Sequence, residues 1–279
     1  MISLRSSAMP AVVFAAMSVA SGAGAQRAEI VSRTELSICA DPHNLPFSNQ
    51  SREGFENKIA DLIAAELHLP ITYVWFPQVV GFVRNTLRAR QCDLVMGAVS
   101  GDGAMETTNP YYHTAYMIVT RAADGIDAQS LDDPVLAEKE IGLIAATPPT
   151  DLLLRHGLMP HVRSYALTVD TREDNPARGM VQDLVDGAID VGLLWGPIAG
   201  YAITHDHLPL KAVFIAPEPN LPRLDFRIAM GVRANEPEWR RRINTAIGKQ
   251  QMQIDRVLAD YGVPLLDEQN RPLAAVGRP

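Results

Sequence analysis

Few residues in this sequence stand at spacings that chemistry requires. His205-Asp206-His207 is the one tight cluster of metal-ligand types. Two imidazoles at i and i+2 can chelate from an extended segment, but no third ligand is visible, and a solvated loop is the plainer reading. Asp124, Asp127, Asp132 and Asp133 lack the spacing and the glycine of an EF-hand loop, so no metal site is expected. There is no Gly-x-Ser-x-Gly elbow and no phosphate loop, and Cys39 stands in no nucleophile motif. Glu56 could act as a general acid, but a lone carboxylate is weak support for catalysis, and a place at a helix start is its simpler role. The residues point away from an enzyme and name no catalytic group and no cofactor.

Strands alternating with helices must position whatever site exists. Leu36, Ile38 and Ala40 alternate as one face of a strand, and Phe55, Ile59, Leu62, Ile63 and Leu67 then recur at helical spacing. Ile71, Tyr73 and Trp75 read as a strand, Val79, Val83 and Leu87 as a helix, and Asp93 to Met96 as a short buried strand. Such a βαβαβ run implies a parallel sheet with crossover helices, and a ligand crevice past the strands' C-terminal ends. A second set follows: strands at Ile141–Ile144 and Val191–Leu194, a helix face with Val181, Leu184 and Val185, and further strands at 213–215 and 228–232. Helical spacing returns with Trp239, Ile243 and Ile247, then Ile254, Val257, Leu258 and Tyr261. NTLRARQCDLVMG, from Asn85, and DLVDGAIDVGLLWG, from Asp183, share a helix end, a turn, an Asp, an apolar strand and a Gly. That pattern suggests two similar α/β lobes, although helix–turn–strand junctions in general look alike.

Composition narrows the partners. With 47% hydrophobic and 20% charged residues in 279, the chain can bury a core of one or two domains. A net charge of -7 argues against nucleic acid and against an anionic membrane surface. Arg5, the apolar run from Met9 to Ala20 and the small residues at Ala23–Ala25 read as a secretory signal peptide over 1–25, and the run is well short of a bilayer span. The mature protein is therefore expected to be exported, to the periplasm in a bacterium. Export permits a disulfide between Cys39 and Cys92. If their strands are parallel neighbours, however, one cysteine ends its strand and the other begins its own, which leaves them too far apart to bond.

The layout resembles the amino-acid-type periplasmic solute-binding proteins, which close two α/β lobes around a ligand. GFENKIADLIAAEL, from Gly54, is similar to their first helix, and NPYYHTAYMIVTR, from Asn109, to their crossing segment. CADPHNLPFSN, GFENKIA, PQVVGFVRNTL, CDLVMG, ATPPTDLLLRHG and WGPIAGY occur in this order over most of the chain. Together they resemble the solute-binding-like accessory proteins of pyrroloquinoline-quinone methanol dehydrogenases. Val79 and Val80 replace basic residues of that pattern, and Asn109 replaces an Arg, which bears on the dehydrogenase served. The resemblance implies a two-lobed, type II α/β fold. Its expected boundaries are 34–121 plus 224–267 for one lobe, 122–223 for the other and an irregular tail over 268–279. Ala122 to Leu136 and Ala216 to Arg223 read as exposed connections. The resemblance also implies a non-enzymatic periplasmic role, with a quinoprotein alcohol dehydrogenase as partner and its cytochrome c as a second candidate.

An amino-acid receptor needs an Arg fork for the ligand carboxylate. The stretch SGDGAMETTNPYY, from Ser100, has neither Arg nor Lys, and Trp195-Gly196-Pro197 stands where an ammonium-binding Asp is usual. Free amino acids are therefore unexpected as ligands, unless Arg84 reaches in from its helix. The candidate cleft residues are Asp41, Asn44, Phe47, Arg84, Tyr111, Tyr112, Thr147, Pro148, Trp195 and Gly196. For Phe47 and the tyrosines the competing role is core packing, and for Asp41 it is a turn or cap. An importer receptor for a small neutral or aromatic solute is the alternative function.

Overall fold

A computed structural model of the chain describes residues 33–101, 103–167 and 169–273. The expected signal peptide, over 1–25, lies outside them, as do residues 274–279 of the expected tail. The chain runs β1 (Leu36–Ala40), β2 (His43–Asn44), β3 (Ser48–Asn49), α1 (Phe55–Leu67), β4 (Ile71–Trp75), α2 (Phe82–Asn85), β5 (Leu94–Val99), β6 (Glu106–Thr107) and β7 (Tyr112–Arg121). It continues through β8 (Ile141–Ile144), α3 (Pro149–Arg155), β9 (Val162–Tyr165), α4 (Pro176–Val185), β10 (Val191–Trp195), α5 (Gly196–Thr204), β11 (Leu210–Phe214), β12 (Asp225–Val232) and α6 (Pro237–Asp260).

Strand order follows from which strands are apolar on both faces. β1 is buried along its whole length because it pairs in parallel with β4 on one side and β5 on the other. The sheet continues β5–β12–β7–β10–β8–β9. β7 joins two parallel groups by antiparallel pairing: Tyr112–Ala115 bond to β12, and Tyr116–Arg121 bond to β10 on one edge and β11 on the other. The apolar clusters divide along the same strand. Leu36, Ile38, Leu94, Met230 and the buried stripes of α1 and α6 form one core, and Ile118, Leu143, Leu153 and Leu193 form another. The result is a two-lobed α/β architecture with one continuous strand running from lobe to lobe.

α1 buries Phe55, Ile59, Ala60 and Ile63 on a single stripe. Its first turn is held by Asn57, whose side-chain oxygen accepts the N–H groups of Gly54 at 3.2 Å and Asn49 at 3.1 Å. α6 runs unbroken for 24 residues and places Ile243, Ile247, Ile254 and Leu258 in the same core as α1.

Two expectations are corrected here. Cys39 and Cys92 are bonded, with Cα atoms 5.5 Å apart. The geometric objection fails because Cys92 lies ahead of β5 rather than within it, and packs with Phe82, Leu87 and Val95 on the face to which Cys39 points. Asp93 enters the sheet by donating its N–H to the Ser37 carbonyl at 2.8 Å, which brings that turn beside β1. The stretch from Ala122 to Leu136 is also no loose connection, since Ile126, Leu131 and Leu136 are buried in the second core.

Candidate functional site

The C-terminal ends of β8 and β10 face the β2–β3 hairpin and the start of α1 across a cavity of about 410 Å³. The fold rule for parallel strands places a crevice at this point. Asn44, Phe47, Tyr112, Thr147, Pro148 and Trp195 line it. Trp195 ends β10 and meets Tyr116 at 5.1 Å and Phe226 at 5.9 Å between ring centroids. Phe47 leans on Phe55 at 5.4 Å. These rings form an aromatic wall fed by both lobes, with tilted contacts typical of stable aromatic packing.

Four expected cleft residues lie elsewhere. Arg84 is exposed on α2 and is absent from the cavity lining. A single helical turn, entered through Gly81 at φ 92°, does not carry it inward. Tyr111 is buried in the first core, where its phenol oxygen accepts the Gly97 N–H at 3.3 Å. Asp41 is fully buried behind the cavity. Its carboxylate accepts the His43 N–H at 2.9 Å, the Gln78 N–H at 2.7 Å and the Thr171 hydroxyl at 2.6 Å. Asp41 is thus a turn residue that also ties the segment after β9 to the end of β1. Gly196 starts α5 at a close approach: a Cβ there would stand 2.7 Å from the Ala115 carbonyl oxygen and from the Thr114 hydroxyl. Gly196→Ala is expected to cost about 1–3 kcal/mol of stability by overpacking, measured by denaturant unfolding, with the cavity lining unchanged.

Glu56 is the residue that the sequence reading undervalued. It is 5% exposed and lines the cavity, and no hydrogen bond to its carboxyl is formed among the described residues. Burial, and secondarily the nearby Asp41 carboxylate, push its pKa up to about 8. Gly97, at φ 68°, makes room for it, since a Cβ there would fall 2.2 Å from the Glu56 carboxyl oxygen. Burial, followed by the field of Glu56, raises the Tyr111 phenol well above its ordinary value. The signal was available: Glu56 precedes Ile59, Ala60 and Ile63 by three, four and seven positions, so it sits on the apolar stripe of α1. No Lys or Arg among the described residues lines the cavity. The nearby Arg172 is exposed, and its guanidinium forks onto Asp170 at 2.9 and 2.5 Å.

Chemically, then, the cavity offers aromatic faces, the amide of Asn44, the hydroxyl of Thr171 and one buried, unpaired carboxyl. Among the described residues it offers no fork for a carboxylate ligand.

Known proteins share this architecture. The crystal structure of periplasmic binding protein XoxJ from Methylobacterium extorquens AM1 superposes with a TM-score of 0.72 at 40% identity, covering 84% of this chain and 100% of that one. MxaJ from Methlophaga aminisulfidivorans MPT gives 0.71 at 28% identity, covering 83% and 100%. Protein MoxJ of Paracoccus denitrificans is 26% identical over 264 residues, 88% of this chain and 96% of that protein. Residues 36–262 match the family described as bacterial extracellular solute-binding proteins, family 3. That span takes in the whole described cavity lining and nearly all of both cores, and the chain belongs to this solute-binding family.

Proposed function

We propose that this chain is a non-enzymatic periplasmic accessory protein that binds a quinoprotein alcohol dehydrogenase through the cavity between its lobes. The observation that carries the reading is the cavity itself: it keeps the aromatic wall of a binding cleft while no basic residue among the described ones lines it to hold an amino acid's carboxylate. Similarity to proteins named MoxJ, XoxJ and MxaJ over more than four fifths of the chain supports the same assignment. Export follows from the signal-like N-terminus, and no helix among the described residues is long and apolar enough to cross a membrane. In this reading 34–121 with 224–267 form one lobe and 122–223 the other, so that lobe movement opens the cavity to a segment of the enzyme. Tyr112 and Trp195, both in the cavity lining, would contact that segment.

A titration of the purified mature protein against cofactor-free dehydrogenase tests this. Saturable binding is expected. Trp195→Ala should weaken it by about 1–3 kcal/mol, as truncation of an aromatic hot spot does, while unfolding stays cooperative. No binding in any cofactor state of the enzyme would end the proposal.

A further inference from the structure

We propose that the cavity is a site for an organic cation, an ammonium or guanidinium group held against the aromatic wall with Glu56 as its counter-charge. The inference rests on the reading that this cavity is the binding cleft, and it names the chemistry of the occupant. Phe47, Tyr112, Tyr116, Trp195 and Phe226 line the space, and aromatic rings attract a desolvated cation. Glu56 projects a carboxyl into the same space, nine-tenths or more buried and without a hydrogen-bond partner among the described residues. A buried carboxyl left unpaired is costly, and a cationic donor is the partner that best relieves it.

The surrounding charges favour a cation over the other ligand classes. The titratable groups facing Glu56 are Asp41, beyond β1, and the phenols of Tyr111, just ahead of β7, and Tyr112, which begins it. β5 contributes Gly97 and Val99, β12 contributes Phe226 and Ile228, and the hairpin contributes Asn44 and Phe47, all uncharged. An anion would meet the Glu56 carboxyl, with Asp41 buried behind it, and no base among the described residues. That excludes a tricarboxylate such as free pyrroloquinoline quinone, and it excludes a zwitterionic amino acid held by both ends. A neutral ring would leave the carboxyl unpaired. The cation therefore comes either from a lysine or arginine side chain on a partner segment or from a free amine without a carboxylate.

Binding must be linked to protons. With only the protein around it, Glu56 holds its proton until about pH 8. A bound cation favours the ionised carboxylate, so the proton leaves on binding. Below pH 8 the association constant should fall by up to about tenfold for each pH unit.

Calorimetry with benzylammonium, benzyl alcohol and benzoate on the full mature protein tests the proposal. Benzylammonium is expected to bind at least about tenfold more tightly than benzyl alcohol, and benzoate is expected not to bind. Its affinity should rise between pH 6 and 8 and then level, with proton release seen as a dependence of the heat on buffer. Glu56→Gln should lower that affinity at least about tenfold and flatten the pH profile, and Phe226→Leu should weaken the binding while keeping its pH dependence. Equal binding of the alcohol and the ammonium, a flat pH profile in the unmodified protein, or no benzylammonium binding would each overturn it. Displacement of bound dehydrogenase by benzylammonium would assign the cation to a partner side chain, and binding without displacement would assign it to a free amine. If no dehydrogenase binds at all, the accessory role fails while the calorimetry still decides the cation site.

Discussion

Glu56→Gln should make the protein more stable at neutral and alkaline pH. The unfolded carboxyl ionises near 4.5, whereas in the folded protein burial and Asp41 hold the proton until about pH 8. Between those values the folded state binds more protons than the unfolded state, so stability falls as pH rises. Below pH 4.5 the penalty is absent, and above pH 8 it is complete. At about 1.4 kcal/mol for each pKa unit, the cost accumulated across the window is on the order of 3–5 kcal/mol. Gln has nearly the same shape and does not ionise. Guanidinium unfolding of both proteins from pH 4 to 9 should therefore show the variant gaining stability relative to the parent through this window and no further beyond it. Parallel curves would mean that Glu56 ionises in the folded protein as it does in water. A residue kept at such a cost in the wall of a binding cleft fits a group retained for function at the expense of stability.

Removing the Cys39–Cys92 disulfide should have a comparable effect with no pH window. The bond closes a loop of 53 residues in sequence separation. Constraint of the unfolded chain by a loop of that length is worth about 4 kcal/mol. Both cysteines are buried at 2% exposure or less, inside a small apolar cluster with Phe82, Leu87 and Val95. A double Cys39→Ala, Cys92→Ala variant should lower the unfolding free energy by about 3–5 kcal/mol. The segment from Gln78 to Asp93 would then be held by packing and by its hydrogen bonds to Asp41 and Ser37. An unchanged denaturation midpoint under matched conditions would show that the unfolded chain is constrained in some other way.

The lobed fold was legible wherever one periodicity ruled a segment. β1, α1, β4, β5, β8 and β10 follow from alternation or helical spacing, and β12 extends the strand expected at 228–232 to Asp225–Val232. β9 was missed because Arg163 and Ser164 are exposed on an edge strand, so it carries no apolar alternation. The helix expected across Val79, Val83 and Leu87 shrinks to one turn, since Gly81 is left-handed and the helix caps at Thr86. α5 escaped notice because Gly and Pro in WGPIAGY read as turn signals. Pro197 is compatible with a first helical turn, and Gly200 is required by a close approach of the Gly262 carbonyl. Within the site, the aromatic residues at strand ends could be read from position. The disulfide could not, because it depends on a turn that crosses a sheet face. The burial of Glu56 could have been read from its place on the stripe of α1.

The most direct measurement of the central claim is a pull-down of the tagged mature protein from its native periplasm, followed by mass spectrometry of the proteins and small molecules retained. The account predicts a stoichiometric quinoprotein alcohol dehydrogenase that is depleted when the bait is Trp195→Ala. A permease subunit or a retained small solute, with no dehydrogenase, would contradict it and return the protein to the transport receptors.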